Sequence, residues 1–362
     1  TALSNRNLII NGAMQVAQRG TSTASISSGS TFVLDRTRFS VTNGGTWTMS
    51  QSTTVPSGEG FSHSLKLDCT AADTSLGSTD FLLLQQLIEG QNVQHLAFGT
   101  SGAKSVVVSF WIRSNKTGTY TLEVQQQDSS NSFYQNAKAF TISSADTWEK
   151  KEITFVGNTS NNIINSNAVG FYATIWLGTG SSRSSGTFTD GTWHSTTANR
   201  IHSSQVNLAD STDNELYLTG LQLELGEQAT PFEHRSFADE LHRCKRYFQK
   251  SFNYDTAPEN GGASGISYNG GILGYCGSNN NGALSGFHRF DPEMRATPSI
   301  TTYGNSSGHW GRLSPTNTGT TTFSAGSGYM SNVKASGINF GQNASGDTLL
   351  IGFGHITASA EL

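Results

Sequence analysis

The sequence predicts an all-β chain: a jelly-roll sandwich, a short connecting α-helix and a smaller C-terminal β domain. Three observations carry that expectation. Apolar and polar residues alternate at period two along most of the 362 residues. Clusters of Gly, Ser and Asn separate the alternating runs, as turns separate the strands of a sandwich. Charged residues make up only 13% of the chain, about half of the roughly 25% usual in soluble domains. Ser, Thr and Asn, which favour strands and turns, fill the gap.

Taken in chain order, Ser64–Cys69 and Phe81–Ile88 are the first strand candidates. Ser105–Arg113 places Val106, Val108, Phe110 and Ile112 on one face. Tyr120, Leu122 and Val124 then alternate with Thr121 and Glu123. Lys151–Phe155, Ala168–Leu177 and Glu215–Glu224 complete the set, with turn clusters at Ser114–Gly118 and Gly178–Ser182 between them. The segment Ser236–Phe248 breaks this rhythm. It lacks Gly and Pro, opens on a capping Ser236 with Asp239 three residues on, and ends with Lys245 and Arg246. Its Phe237, Leu241, Cys244 and Phe248 form one apolar stripe of a helix, and a helix this short must bury such a stripe. Beyond it, residues 255–285 are Gly/Asn/Ser-rich around Ile272–Cys276, and Leu349–Phe353 alternates near the end. The expected domains are therefore a jelly roll over 1–235, a helical connector over 236–252 and a β domain over 253–362.

Several function classes are excluded at this level. A net charge of −4 does not supply the basic face that neutralises duplex phosphates, so no nucleic-acid partner is expected. The longest apolar runs, such as Phe81–Leu84, are far too short to span a membrane, and no leader pattern follows Thr1. Cys69, Cys244 and Cys276 lack CxxC spacing and read as buried thiols. The nine histidines show no metal-ligand spacing. Gly261–Gly265 is a glycine cluster without the Lys of a phosphate-binding loop, and nothing pairs Asp190, Asp210, Asp213, Glu215 or Glu224 as a glycosidase would. The expectation is a non-enzymatic protein that uses no cofactor.

Aromatic residues are the stronger lead, because sugars are held by flat rings together with a few polar groups. Trp111, Trp148 and Trp176 lie on alternating strands and are expected in the core. Trp193, next to His194, and Trp310 lie in polar segments without periodicity. Each either folds back as a plug or faces a partner. Trp47 is intermediate. The candidate ligand residues are therefore Trp193, His194, Trp310 and Trp47.

Four stretches together carry a resemblance. The opening Asn7-Leu8-Ile9-Ile10-Asn11-Gly12, Gln18-Arg19-Gly20 and Leu34-Asp35-Arg36 form the first. Leu221-Gln222-Leu223-Glu224 through Ala229-Thr230-Pro231-Phe232-Glu233 and on to Arg235, then Glu240-Leu241 to Tyr247-Phe248, form the second. Met294-Arg295-Ala296-Thr297-Pro298 and the terminal Ala360-Glu361-Leu362 are the others. In this order and spacing they resemble phage tail-fibre and appendage proteins of the virion. The resemblance implies a jelly roll like those of carbohydrate-binding modules, a helix and a C-terminal β domain, often assembled as a trimer.

Lys245 departs from that pattern. So does Met14-Gln15, which lacks the acidic residue that related sugar-binding jelly rolls place near a structural calcium. A charge-poor chain rich in Ser, Thr, Asn and Gly also suits an extracellular particle. The function expected is a virion structural protein that contacts other virion proteins and a host cell-surface glycan. It would be a homotrimer organised partly through Phe237, Leu241, Cys244 and Phe248. An architectural virion subunit without ligand, or an accessory sugar-binding module of a secreted glycan-degrading protein, are the alternatives.

Overall fold

A computed structural model describes residues 5–259, 272–276, 283–303, 309–314, 317–324, 330–343 and 350–362, with several C-terminal strands described by backbone alone. The chain divides into two compact units. The first holds residues 1–17 and 21–240; the second holds 18–20 and 241–361.

The first unit is built from β1 (Ser22–Phe32), β2 (Thr37–Ser52), β3 (Ser64–Ala71), β4 (Phe81–Glu89), β5 (Val106–Ser114), β6 (Gly118–Gln127), β7 (Phe133–Ile142), β8 (Glu149–Phe155), β9 (Val169–Thr179) and β10 (Glu215–Leu225). The hydrogen-bonded path runs β7-β6-β9-β4-β2-β3-β10-β5-β8, with β1 alongside β2. The hinge of this path is β2, whose residues 37–42 pair with β4 while residues 46–52 pair with β3. Between those halves Asn43 and Gly45 both have positive φ (45° and 76°). A Cβ on Gly45 would sit 2.5 Å from the Ala71 carbonyl oxygen, so glycine is required at this corner. One sheet, β7-β6-β9-β4 with the start of β2, thereby folds over a second made of the end of β2 with β3-β10-β5-β8.

Period-two patterning does the rest. Phe39, Leu84, Phe171, Ile175 and Leu122 of the first sheet meet Trp47, Leu67, Val108, Phe110 and Leu218 of the second in one core. The Phe110 and Phe140 rings, one from each sheet, lie 5.4 Å apart edge to face. All the strands expected from the sequence are present, and the all-β class holds.

The N-terminal segment and the segment after β10 are tied together by buried polar groups. Asn7 accepts from Leu223 N–H at 3.1 Å and donates from Nδ2 to Leu221 O at 3.2 Å. Glu233 accepts from Asn7 N–H at 2.7 Å. The Arg235 guanidinium bridges Glu233 (3.3 Å) and Glu240 (2.9 Å) and also donates to the Ile9 and Asn7 carbonyls. Glu240 accepts from Asn11 N–H. Burial pushes the Glu233 carboxyl up, but the backbone donors of Asn7 and Asn5 and the charge of Arg235 outweigh it, holding the group below its ordinary value.

The α-helix, α1, spans Phe237–Lys245, shorter than the expected run to Phe248. Ser236 caps it as expected, accepting from Asp239 N–H at 3.2 Å. The chain leaves the helix through Arg246 and Tyr247, whose N–H groups reach back to Arg243 and Cys244. Phe248 then opens β11 (Phe248–Lys250). The stripe is therefore not a free seam: Cys244 and Phe248 are buried by the chain itself, whereas Leu241 is half-buried and Phe237 exposed. This corrects the expectation that all four residues are available to another subunit.

The second unit adds β12 (Ile272–Cys276), β13 (Ala283–Arg289), β14 (Ser299–Tyr303), β15 (His309–Ser314), β16 (Asn317–Ser324), β17 (Met330–Lys334), β18 (Gly337–Asn343) and β19 (Leu350–Ser359). The long β19 pairs with β11, β12, β14 and β15. Phe290, Met294, Ile338, Ile356, Ala358 and Ala360 form its described core. Arg295 donates to the Ala360 and Glu361 carbonyls (2.9 and 3.2 Å), and Arg19 pairs with the Glu361 carboxylate at 2.9 Å. The cluster Gly261–Gly265 lies outside the described residues.

Arg235→Ala leaves the Glu233 and Glu240 carboxylates without their shared cation in a site where all three side chains are less than a tenth exposed. Breaking such a buried set costs about 3–5 kcal/mol. Urea unfolding followed by far-UV circular dichroism should show a matching loss of stability.

Candidate functional site

Strand alternation sends one face of the first sheet into the core and leaves the other to form a surface. Cross-strand register lines up three rows on that outer face. The first is Ser40, Leu83, Trp176 and Thr121; the second is Arg38, Gln85, Thr174 and Glu123; the third is Leu87, Tyr172, Gln125 and Gln135. Ser40, Leu83, Trp176, Arg38, Gln85, Tyr172 and Gln125 of these rows, with the edge of β1 and the segment after β9, line a cleft of about 420 Å³, within the range of ligand sites.

The wall comes from residues 181–207, which fold back over the sheet. Val206 N–H donates to Thr119 O at 2.9 Å, and Gln205 Nε2 donates to Trp176 O at 3.0 Å. Ile201, fully buried, packs with Leu83 and Trp176 in a small cluster separate from the main core. Trp176 is thus buried, as expected of a strand tryptophan, but on the face opposite the core.

Beneath the cleft lies Glu123, with no exposed side chain. It accepts two bonds from Arg200, at 2.7 and 2.6 Å, and one from the Trp176 indole at 3.1 Å. Burial lowers Arg200, and the charge and hydrogen bonds of Glu123 more than offset it, so the guanidinium is held above its ordinary value. A carboxylate committed to three donors is placed as a structural anion.

The lining of the cleft is aromatic and polar. Phe133, 41% exposed, lies edge to face with Tyr172 at 6.2 Å. Burial raises the Tyr172 phenol, with the Arg38 charge opposing. Gln85 donates to Thr174 Oγ1 at 2.8 Å and accepts from Arg38. Arg183 lies over Phe81 at 4.5 Å and donates to Thr79 O at 3.0 Å. Rings and polar donors converge here as a polyhydroxylated ligand needs.

None of the candidate ligand residues singled out from the sequence is among the described residues that line this cleft. Trp47 is fully buried, its indole donating to Gly44 O at 2.7 Å and its ring 5.8 Å from Phe39; it belongs to the core and offers no ligand surface. Trp193 donates to Val156 O at 2.7 Å and sets its ring 5.5 Å from Phe98, covering the edge of the core. Of the two open roles, its indole takes the plug. His194 forms a backbone bridge with Gln135, and its Nδ1 lies 3.2 Å from Gln135 Nε2. Burial holds its imidazole below the ordinary value, the Glu123 charge opposing and Arg200 adding to the fall. Trp310 is in β15 rather than a loop, opposite Phe323, and its side chain lies outside the described residues. Cys69 is a buried thiol, pushed up to about 11 by that burial. Among the described residues, no group of three His, Cys, Asp or Glu side chains converges to hold a metal ion.

A second cavity, of about 500 Å³, lies on the outer face of the other sheet, lined by Phe61, Trp111, Phe232 and His234. Its rings pack on each other, with Phe61 5.0 Å from Phe232 and 5.2 Å from His234. The Lys150 ammonium at its edge is paired with Glu152 at 2.7 Å. It has the apolar lining of a site but fewer converging polar groups than the first cleft.

No family model matches the sequence, and no curated protein matches it. Among solved structures, the chain is similar to the enzymatically active domain of tailspike protein 4 from bacteriophage CBA120. The TM-score is 0.33 at 11% identity, over 61% of this chain and 21% of that one, so the match spans about a fifth of the tailspike's length. A putative sugar-binding protein from Bacteroides thetaiotaomicron matches with a TM-score of 0.33 at 11% identity, over 61% of this chain and 100% of that one. The carbohydrate-binding module TmCBM61, solved with β-1,4-galactotriose, matches with a TM-score of 0.29 at 10% identity, over 61% of this chain and 100% of its own.

Trp193→Ala removes the cover over Phe98, so the melting temperature should fall while any ligand affinity of the cleft stays within twofold of the parent. Calorimetric melting and titration on the same preparation check both halves.

Proposed function

We propose that the chain is a non-enzymatic glycan-binding protein and that the cleft on the outer face of the first sheet receives an oligosaccharide. One observation carries this reading. Tyr172 and Phe133 present ring surface beside the side chains of Gln85, Gln125 and Arg38, in a groove of about 420 Å³. A pyranose has an apolar face of C–H groups and an equatorial ring of hydroxyls. Flat rings cover the former while amide and guanidinium groups pair with the latter.

The setting proposed is a virion appendage that meets a host-surface glycan and other virion proteins. It rests on the ordered motifs of the N-terminal segment, the segment after β10 and the C-terminus. A homotrimer in that setting would draw on Phe237 and Leu241, the stripe positions that the chain itself does not bury.

Covering one aromatic side chain contributes about 1.5–3 kcal/mol, and 1.4 kcal/mol is about tenfold in affinity. Tyr172→Ala and Phe133→Ala should therefore each weaken binding of a glycan identified on an array by tenfold or more. Neither ring is in the main core, so melting should change little. Undiminished binding by both variants would refute the cleft as the site.

A further inference from the structure

The charged side chains that line the cleft are all cationic. Three guanidinium groups, from Arg38, Arg183 and Arg200, line it, and among the described residues no Asp or Glu does. The Glu123 carboxylate lies beneath the surface with both oxygens engaged by Arg200 and one also by the Trp176 indole. Arg183 has no ion pair among the described residues; its contacts are the Thr79 carbonyl and the faces of Phe81 and, at 5.8 Å, Trp176. Guanidinium groups on ring faces keep their in-plane N–H donors directed outward. The whole chain carries −4, so this positive cleft is a local arrangement set against the sign of the molecule.

From this we infer that the ligand is an anionic saccharide, one bearing a carboxylate or a sulfate, and that Arg183 is the residue that selects for the charge. The inference rests on the glycan-binding reading of the same cleft. The planar guanidinium matches either anion with two parallel N–H donors, and because Glu123 already neutralises Arg200, Arg183 is the cation left to meet it. Burial, and then the Arg200 charge, lower the Arg183 guanidinium from its ordinary value against the pull of Glu123. A ligand anion placed between Arg183 and Arg200 would relieve that like-charge repulsion. A neutral glycan would leave it in place.

The test uses the full chain and saccharide pairs that differ chiefly in charge: oligogalacturonate against its methyl ester, sialyllactose against its sialic acid methyl ester, and a sulfated galactan against its desulfated form. Titration calorimetry at low and high NaCl reads the affinities. The expected result is that the anionic member of at least one pair binds tenfold or more tighter than its neutral partner. That preference shrinks as salt screens it, and Arg183→Gln removes most of it. The first pair and the third separate carboxylate from sulfate recognition. Equal affinity for both members of every pair that binds overturns the inference and leaves the glycan-binding reading standing. A charge preference that survives Arg183→Gln overturns the assignment of Arg183. If no member of any pair binds and an array of neutral and charged glycans is also blank, the glycan-binding reading itself falls.

Discussion

Everything proposed for the cleft depends on the register in which β4, β9 and β6 pair. Successive residues of a strand point to opposite faces, so a core on one side fixes what stands on the other. In β9, Phe171, Ala173, Ile175 and Leu177 enter the core, and Tyr172, Thr174 and Trp176 are left outside. A slip of one residue would exchange the two sets, burying a tyrosine, a threonine and the partner of Glu123. The Gln85–Thr174 bond joins in-register neighbours on that face, and the Glu123–Trp176 bond joins diagonal ones. The polar rows thus help fix the pairing that creates them.

The motifs that carried the resemblance turn out to hold the chain together. Asn7, Asn11, Glu233, Arg235 and Glu240 form one buried network in the first unit. Gly12 is part of the same logic, since a Cβ there would lie 2.0 Å from the Leu221 carbonyl oxygen. In the second unit Arg19, Arg295 and Glu361 tie three distant stretches of chain, and Met294 and Ala360 sit in its core. None of these residues lines the cleft. The frame and the residues that line the cleft are different sets, so the cleft can vary on a fixed frame.

The strands were legible in the sequence because their signal is local. Val106 to Ile112 and Ala168 to Leu177 alternate without help from distant residues, and Ser236 announces the helix by its cap. The helix end was missed because Phe248 continues the apolar spacing of α1 yet pairs with Ser359 in β19, a partner more than a hundred residues away. The cleft was missed for the same reason. Tyr172 and Trp176 share a face that the alternation already separates from Phe171 and Ile175, a signal present in the sequence. That this face meets Arg38, Gln85 and Glu123, and is walled by residues 181–207, follows only from long-range pairing. Trp193 looked like a recognition residue because its neighbours are polar, but Phe98 and Val156 O, which claim its ring and indole, are distant in sequence.

The account's central claim is a location, the outer face of the sheet carrying β4, β9 and β6, and hydroxyl-radical footprinting of the full chain with and without its glycan measures location directly. The account predicts that the ligand protects Phe133 and Tyr172 while leaving the reactivity of Trp111, Phe232 and Trp193 unchanged. Protection of Trp111 and Phe232, with Phe133 and Tyr172 as reactive as before, would contradict it and move recognition to the opposite sheet.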